Sequence, residues 1–316
     1  MKLRRQSGFT ALEMMVSIAL LGIFVYVTAP MLMSTLNSAN KLETDHRIKD
    51  VQETLRAAYR INAFEIDSEP SNQLTVGGQP VLLSGAIATS TTLAWAEKYA
   101  ASSTTLVYKD GYGRPWMFYV SNRLSNVVNG TTLYSHKIAI VSEGRNGRFD
   151  DGTSFDPTTG LLTLKGDDVG AVVDGFEVQS ALFDLTKRRI DTLASAYQSY
   201  FLTRFQSNES RNLTVNYFAK GTRGSADSTV FDTTGSVPTS GGADAAAADI
   251  LGPTLGLSAE AYQDAYGQSI LIDNSSDSVR TPDNSNAGMQ APPYSVVLKT
   301  TLPGSVVATQ AIIGTY

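Results

Sequence analysis

Cysteine is absent from the 316 residues of this chain. Thiol nucleophiles, structural disulfides and thiolate metal sites are thereby excluded, so stability must come from packing or from a bound hard cation such as Ca²⁺. Histidine is almost as scarce: the two present are His46, on the polar side of a predicted helix, and His136, beside a predicted strand. That is little material for a histidine metal site or an acid–base dyad. Positive charge is also in deficit, with 25 Lys and Arg against 30 Asp and Glu. Removing the cations Lys2, Arg4 and Arg5 with an N-terminal leader would make the remainder still more acidic, and nucleic-acid binding, which relies on neutralising phosphates, is not expected. The Gly-x-Ser-x-Gly, His-Glu-x-x-His and Gly-Lys-Ser/Thr patterns are missing too. No enzymatic constellation is predicted, and the catalytic residues expected are none.

What the chain does have is concentrated in its first thirty-three residues. Lys2, Arg4 and Arg5 lead into Gly8-Phe9-Thr10-Ala11-Leu12-Glu13, and twenty uncharged residues follow from Met14 to Met33. As a helix these span about 30 Å, the thickness of a bilayer's hydrocarbon core. The basic flank predicts retention of the N-terminus in the cytoplasm, with the rest of the chain outside. No small-x-small cleavage site follows the apolar run, and Glu13 sits at its edge, where a carboxylate is costly enough to suggest a function. Gly22 and Pro30 are the helix-weakening positions within the run.

Beyond the run, Ser34 to about Phe64 keeps a helical stripe of Leu36, Leu42, Ile48, Val51, Leu55 and Tyr59, with charged residues around it. A first head is predicted from about Ile61 to Gly175. It contains a short helix near Leu93–Tyr99, the turn Asp110-Gly111-Tyr112-Gly113-Arg114-Pro115, and strands at Trp116–Val120 and Thr132–Val141. Trp95 and Trp116 are expected in the core. A second helix is predicted over Phe176–Phe205, and Asp264-Ala265-Tyr266-Gly267 repeats the earlier Asp-x-Tyr-Gly pattern ahead of a strand at Ser269–Ile272. Gly221–Asp249 and Val279–Pro293 read as loops, Ile250–Tyr266 as a short helix in part, and Tyr294–Lys299 and Val306–Ile313 as closing strands. The fold class is therefore α+β, with a long N-terminal helix packed on an antiparallel β-sheet head. The recurring order of helix, variable segment, turn and strand suggests that the head is duplicated.

Gly8-Phe9-Thr10-Ala11-Leu12-Glu13 and the following apolar run resemble the class III signal of type IV pilins and of the pseudopilins of type II secretion systems, with Ala11 in place of the usual leucine. The resemblance implies cleavage by a prepilin peptidase between Gly8 and Phe9, methylation of Phe9, and a filament core in which Glu13 meets a neighbour's N-terminal ammonium. It also implies a kink at Gly22 and Pro30, and divides the chain into a leader (1–8), a transmembrane filament-core helix (9–33), an amphipathic helix with a first pilin-like head (34–175) and a second head (176–316). The Asp110 turn and the later Ser142–Gly152 loop resemble the body of the major pseudopilin. Related pseudopilins hold calcium in a comparable loop, which makes Asp150, Asp151 and Asp156 the candidate Ca²⁺ ligands; Asp273, Asp277 and Asp283 form a weaker acidic group. The expected role is that of a minor, priming or tip subunit of a pilus (fimbrium) or secretion pseudopilus. Its expected partners are the prepilin peptidase, other pilins or pseudopilins and an inner-membrane assembly platform. The chain would sit single-pass in a bacterial inner membrane with its head in the periplasm. A membrane-anchored adhesin that never polymerises and an unusually large major pilin are the rival expectations.

Overall fold

A computed structural model describes residues 11–100, 107–207, 209, 245–247, 255–273 and 294–314. The leader with Gly8 and Phe9, the weaker acidic positions Asp277 and Asp283, and most of the 221–249 segment lie outside the described residues.

Helix α1 runs unbroken over Ala11–Ile66, 56 residues or about 84 Å. Past Gly22 it contains no further glycine and Pro30 as its single proline, so little in the sequence interrupts it. It ends where Pro70 approaches, with the Ser68 hydroxyl donating to the Phe64 carbonyl at 2.6 Å. The predicted stripe is buried only in part. Ile48, Val51, Leu55 and Tyr59 are in the core, but Leu36 and Leu42 are each 61% exposed, because the head begins to cover the helix only at about Thr44.

The inner half of α1 packs on an antiparallel sheet of strands β3 (Ala86–Ile87), β4 (Met117–Val120), β7 (Lys137–Ser142) and β10 (Val169–Asp174), in the spatial order β10-β7-β4-β3. Phe118, Val120, Ile138, Ile140 and Val173 meet Val51, Leu55, Ala58 and Tyr59 in a dry layer, with Trp116 fully buried beside them. Around this sheet lie the hairpins β1–β2 (Gln73–Val76, Gln79–Leu83), β5–β6 (Leu124–Val128, Thr131–Ser135) and β8–β9 (Ser154–Asp156, Leu161–Thr163). The helix expected near Leu93 is α2 (Ser90–Glu97), started by a reciprocal Thr89–Thr92 capping box. His136 splits the strand predicted over Thr132–Val141 into β6 and β7.

Helix α3 (Gly175–Ser207) begins where the Asp174 carboxylate accepts the Phe176 N–H at 2.9 Å. Its first turns bury Val178 and Leu182 in the first core; farther on, Ile190, Leu193, Tyr197, Phe201 and Phe205 recur every three or four residues and fill a second. Facing them are Ile270, Ile272, Val296, Leu298 and Ile312. This second antiparallel sheet has the order β11-β12-β13-β14, from Ala245–Ala247, Leu271–Asp273, Tyr294–Leu302 and Val306–Gly314. Between the cores, Phe183 joins Leu133 and Leu302 in a third buried cluster. Of the helix expected within Ile250–Tyr266, the main element described is a single 3₁₀ turn at Ala259–Tyr262.

The two Asp-x-Tyr-Gly turns have the same internal geometry. Asp110 Oδ1 accepts the N–H groups of Tyr112 (2.9 Å) and Arg114 (2.8 Å), and Asp264 Oδ1 those of Tyr266 (2.9 Å) and Gln268 (2.8 Å). The second carboxylate oxygen accepts a strand hydroxyl in each case, from Ser142 at 2.6 Å and from Thr300 at 2.7 Å. Gly113 and Gly267 close the turns at φ of 81° and 80°, a region glycine enters without strain. Each turn is held to its helix by a Thr-x-x-Arg pair. Thr44 accepts from the Gly111 N–H and Thr186 from the Ala265 N–H, both at 3.0 Å. Arg47 Nη1 donates to the Asp110 carbonyl and Arg189 Nη1 to the Asp264 carbonyl, both at 2.7 Å.

Burial pushes the Asp264 carboxyl above its ordinary value of 3.8, against the lowering effect of hydrogen bonds from Thr300, Gln268 and Tyr266. A raised carboxyl pKa means that the fold favours the protonated form. The contribution is then fullest below pH 3.8 and declines as pH rises through the folded value. Asp264→Asn, in which Thr300 can turn to accept, should remove that slope. In urea melts the stability advantage of wild type over the variant is expected to narrow as pH rises above 3.8. Asp264→Ala, which strips both N–H groups of their acceptor, should cost about 2–4 kcal/mol.

Candidate functional site

The outer half of α1 is a long exposed apolar segment. From Ala11 to Tyr26 every residue is exposed, and Leu12, Met14, Met15, Ile18, Leu21, Phe24, Met31 and Met33 are each more than half exposed. The most apolar eighteen-residue window has a mean hydropathy of 2.1 and none of it is covered by the rest of the chain. A helix apolar on every side is unfavourable in water, and this one is long and apolar enough to span a membrane. Two of its threonines bond back within the helix: Thr28 donates to Phe24 O at 2.8 Å and Thr35 to Met31 O at 2.9 Å. Backbone-bonded hydroxyls of this kind suit hydrocarbon, where unpaired polar groups are costly. Glu13 lies in the first turn, where the positive end of the helix dipole favours a carboxylate. Gly22 and Pro30 lie inside the unbroken helix; Pro30 has no N–H to offer the carbonyl four residues back.

At the other end of α1, five side chains form a buried polar network that joins both cores. The Asp67 carboxylate accepts the Tyr59 hydroxyl and the Gln179 side-chain N–H. It also faces His136 Nδ1 at 3.0 Å. His136 Nε2 lies 3.1 Å from the Ser71 carbonyl, which can only accept, so Nε2 carries a proton. The Nδ1–Oδ1 contact then shares one further proton between the two groups. Tyr59 in turn accepts the His136 backbone N–H at 2.8 Å, and the Tyr266 hydroxyl, from the second Asp-x-Tyr-Gly turn, donates to Gln179 Oε1. Desolvation raises the Asp67 carboxyl above its usual range, with hydrogen bonds from His136, Tyr59 and Gln179 working in the opposite direction. The same burial lifts the Tyr59 hydroxyl well above 10.0.

Sequence reasoning placed His136 beside a strand and gave it no partner. The structure brings it to Asp67 across 69 residues, with both side chains at 0% exposure. A pair so enclosed has no path to a substrate, and its chemical effect is to fix three elements against one another. Gly175 makes the arrangement possible, since a Cβ there would run into the Tyr59 hydroxyl and the His136 carbonyl.

The three predicted calcium ligands do not converge. Asp156 is occupied by its own turn, where the Thr158 and Thr159 hydroxyls donate to it, and its carboxyl is held below the usual range by those bonds. Asp150 accepts from Asn146 Nδ2 at 2.9 Å and from the Asp167 N–H at 3.0 Å, and Asp151 is exposed. The neighbouring Asp168 was not foreseen: it is 8% exposed, its Oδ2 takes the Asp150 N–H and the Thr153 hydroxyl, and its Oδ1 is buried with no partner among the described residues. Among the described residues no group of three or more His, Cys, Asp or Glu side chains is arranged to hold a metal ion.

No family model, no curated protein and no solved structure matches the chain.

The network predicts an asymmetric mutational response. Asp67→Asn keeps the volume but places a donor against the donors of Gln179 or of Tyr59, and should cost about 2–4 kcal/mol in urea unfolding. Tyr266→Phe, which removes the single donor reaching Gln179 Oε1 from the second turn, should cost about 1 kcal/mol.

Proposed function

We propose that this chain is a non-enzymatic, membrane-anchored filament subunit, made as a precursor in a bacterial inner membrane and built into a type IV pilus or type II-like pseudopilus as a minor, priming or tip component. The observation that carries the proposal is the division of α1 into an outer half exposed and apolar on every side and an inner half locked into the head. Such a helix can leave a bilayer only for another apolar surrounding, and a bundle of equivalent helices from neighbouring subunits is one. The residues Gly8 to Glu13, resembling the prepilin peptidase site, supply the route, and Glu13 the charge that pairs with a neighbour's freed N-terminus. The two helix-on-sheet units with matched Thr-x-x-Arg and Asp-x-Tyr-Gly anchors support a duplicated pilin-like head, too bulky to repeat in every subunit of a thin filament. Pilins, pseudopilins and an inner-membrane platform are the proposed partners. The same exposed helix also suits a membrane-anchored adhesin that never polymerises.

Intact mass and N-terminal sequencing from the native host decide between these. A product beginning at methylated Phe9, formed only when prepilin peptidase is present, is the expected result; a chain beginning at Met1 with and without the peptidase would overturn the proposal. Glu13→Leu should be processed normally yet fall by at least about tenfold in sheared filaments, whereas an adhesin would keep its surface level.

A further inference from the structure

The second sheet ends in a strand that ordinary protective devices have left open. β14 (Val306–Gly314) is nine residues long, pairs with β13 along its whole length from Leu302↔Val306 to Tyr294↔Gly314, and among the described residues is hydrogen-bonded to no strand on its other side. Among the described residues, its backbone makes no hydrogen bond beyond the β13 ladder. Natural edge strands are usually short, charged, bulged or interrupted by proline. The opposite edge of this sheet, β11, has three residues, and β3 at the edge of the first sheet has two. β14 instead runs in continuous register, and no charge or proline occurs from Val306 to its end. Val307 and Ile313 are 55% and 49% exposed on its outer face.

We infer that β14 is an interaction surface for β14 of a second copy of this chain, paired antiparallel about a two-fold axis through Gln310. The residue pattern favours a copy of itself over a foreign strand. A two-fold normal to the sheet keeps each residue on its own face, and Gln310 is the midpoint of the nine described residues, so this register pairs all nine. On the solvent face Val307 then meets Ile313 and Thr309 meets Ala311; on the helix-facing side Ala308 meets Ile312 and Val306 meets Gly314. In three of these pairs a larger side chain stands opposite Ala or Gly, and at the axis two Gln310 amides can bond to each other. A strand without charge sets no like charges against one another when it pairs with itself. Main-chain hydrogen bonds, about eight to ten over such a length, would supply the affinity. The inference is independent of how the chain is processed or whether it enters a filament.

The absence of native cysteine gives a clean test on the full-length chain in detergent micelles. Cross-strand Cα separations of about 4.5–5.5 Å lie within disulfide range. Gln310→Cys should give a disulfide-linked homodimer on mild oxidation with copper phenanthroline, in at least about tenfold excess over Leu161→Cys, an exposed site on the first unit. Differently tagged Val307→Cys and Ile313→Cys chains, both altered at exposed positions that leave the fold intact, should form the mixed dimer in preference to either homodimer. Adding Thr309→Lys to the Gln310→Cys chain should lower the cross-link by about tenfold by setting two like charges near the axis. Cross-linking of Gln310→Cys no greater than that of Leu161→Cys, or Val307→Cys and Ile313→Cys chains that join as homodimers, would overturn it.

Discussion

The largely exposed, uncharged residues from Met14 to Met33 are poorly suited to water, unlike the surface of the head, and most of what is distinctive in this chain follows from joining the two without a break. One helix crosses from an apolar exterior to a packed interior, and the change occurs near Thr44, where hydrogen bonds to Gly111 and from Arg47 first tie it to the head. Leu36 and Leu42 lie in the stretch between, apolar and exposed at once. Among the described residues nothing covers that stretch, an exposed apolar surface of the kind that marks contact with lipid or with other chains.

The interior is organised by buried carboxylates used as acceptors. Asp110 and Asp264 each take two backbone N–H groups and one hydroxyl, a set that needs lone pairs only, and a carboxylate supplies more of them than an amide does. Asp67 has a different task. Its neighbours come from α1, from the β6–β7 junction and from α3, so one side chain holds parts of the chain more than a hundred residues apart. Partial satisfaction of such a centre would be worse than none, and the Tyr266 to Gln179 contact extends the same chain of bonds to the second unit.

The α+β class, the long N-terminal helix, the helix over α3 and the two closing strands were legible in the sequence because each carries a strong period or an uninterrupted run. The small hairpins were less so: β1–β2 and β8–β9 have strands of three to five residues, too short for alternation to register. β5–β6 did carry a signal, the Asn129-Gly130 pair between apolar residues, that points to a tight turn. Within the candidate sites, Glu13 was visible by its position against an apolar run. The His136–Asp67 pair was not, since contacts across 69 residues leave no local trace. The Thr-x-x-Arg spacing shared by α1 and α3 was present in the sequence, but its meaning depends on the turns it anchors. Asp168 stood next to a loop read for its acidic residues; only burial distinguishes it from them.

Helix α3 contributes Val178 and Leu182 to one core, Phe183 to the junction and Phe201 to the other. Mechanically it is a rigid strut about 50 Å long, not a hinge. Tension applied at the second sheet reaches α1 through side-chain packing and the Asp67 centre, so a load would be carried by two interlocked units in series with the N-terminal helix. A unit attached in this way can transmit a pull from its outer surface to that helix with little swing between the two.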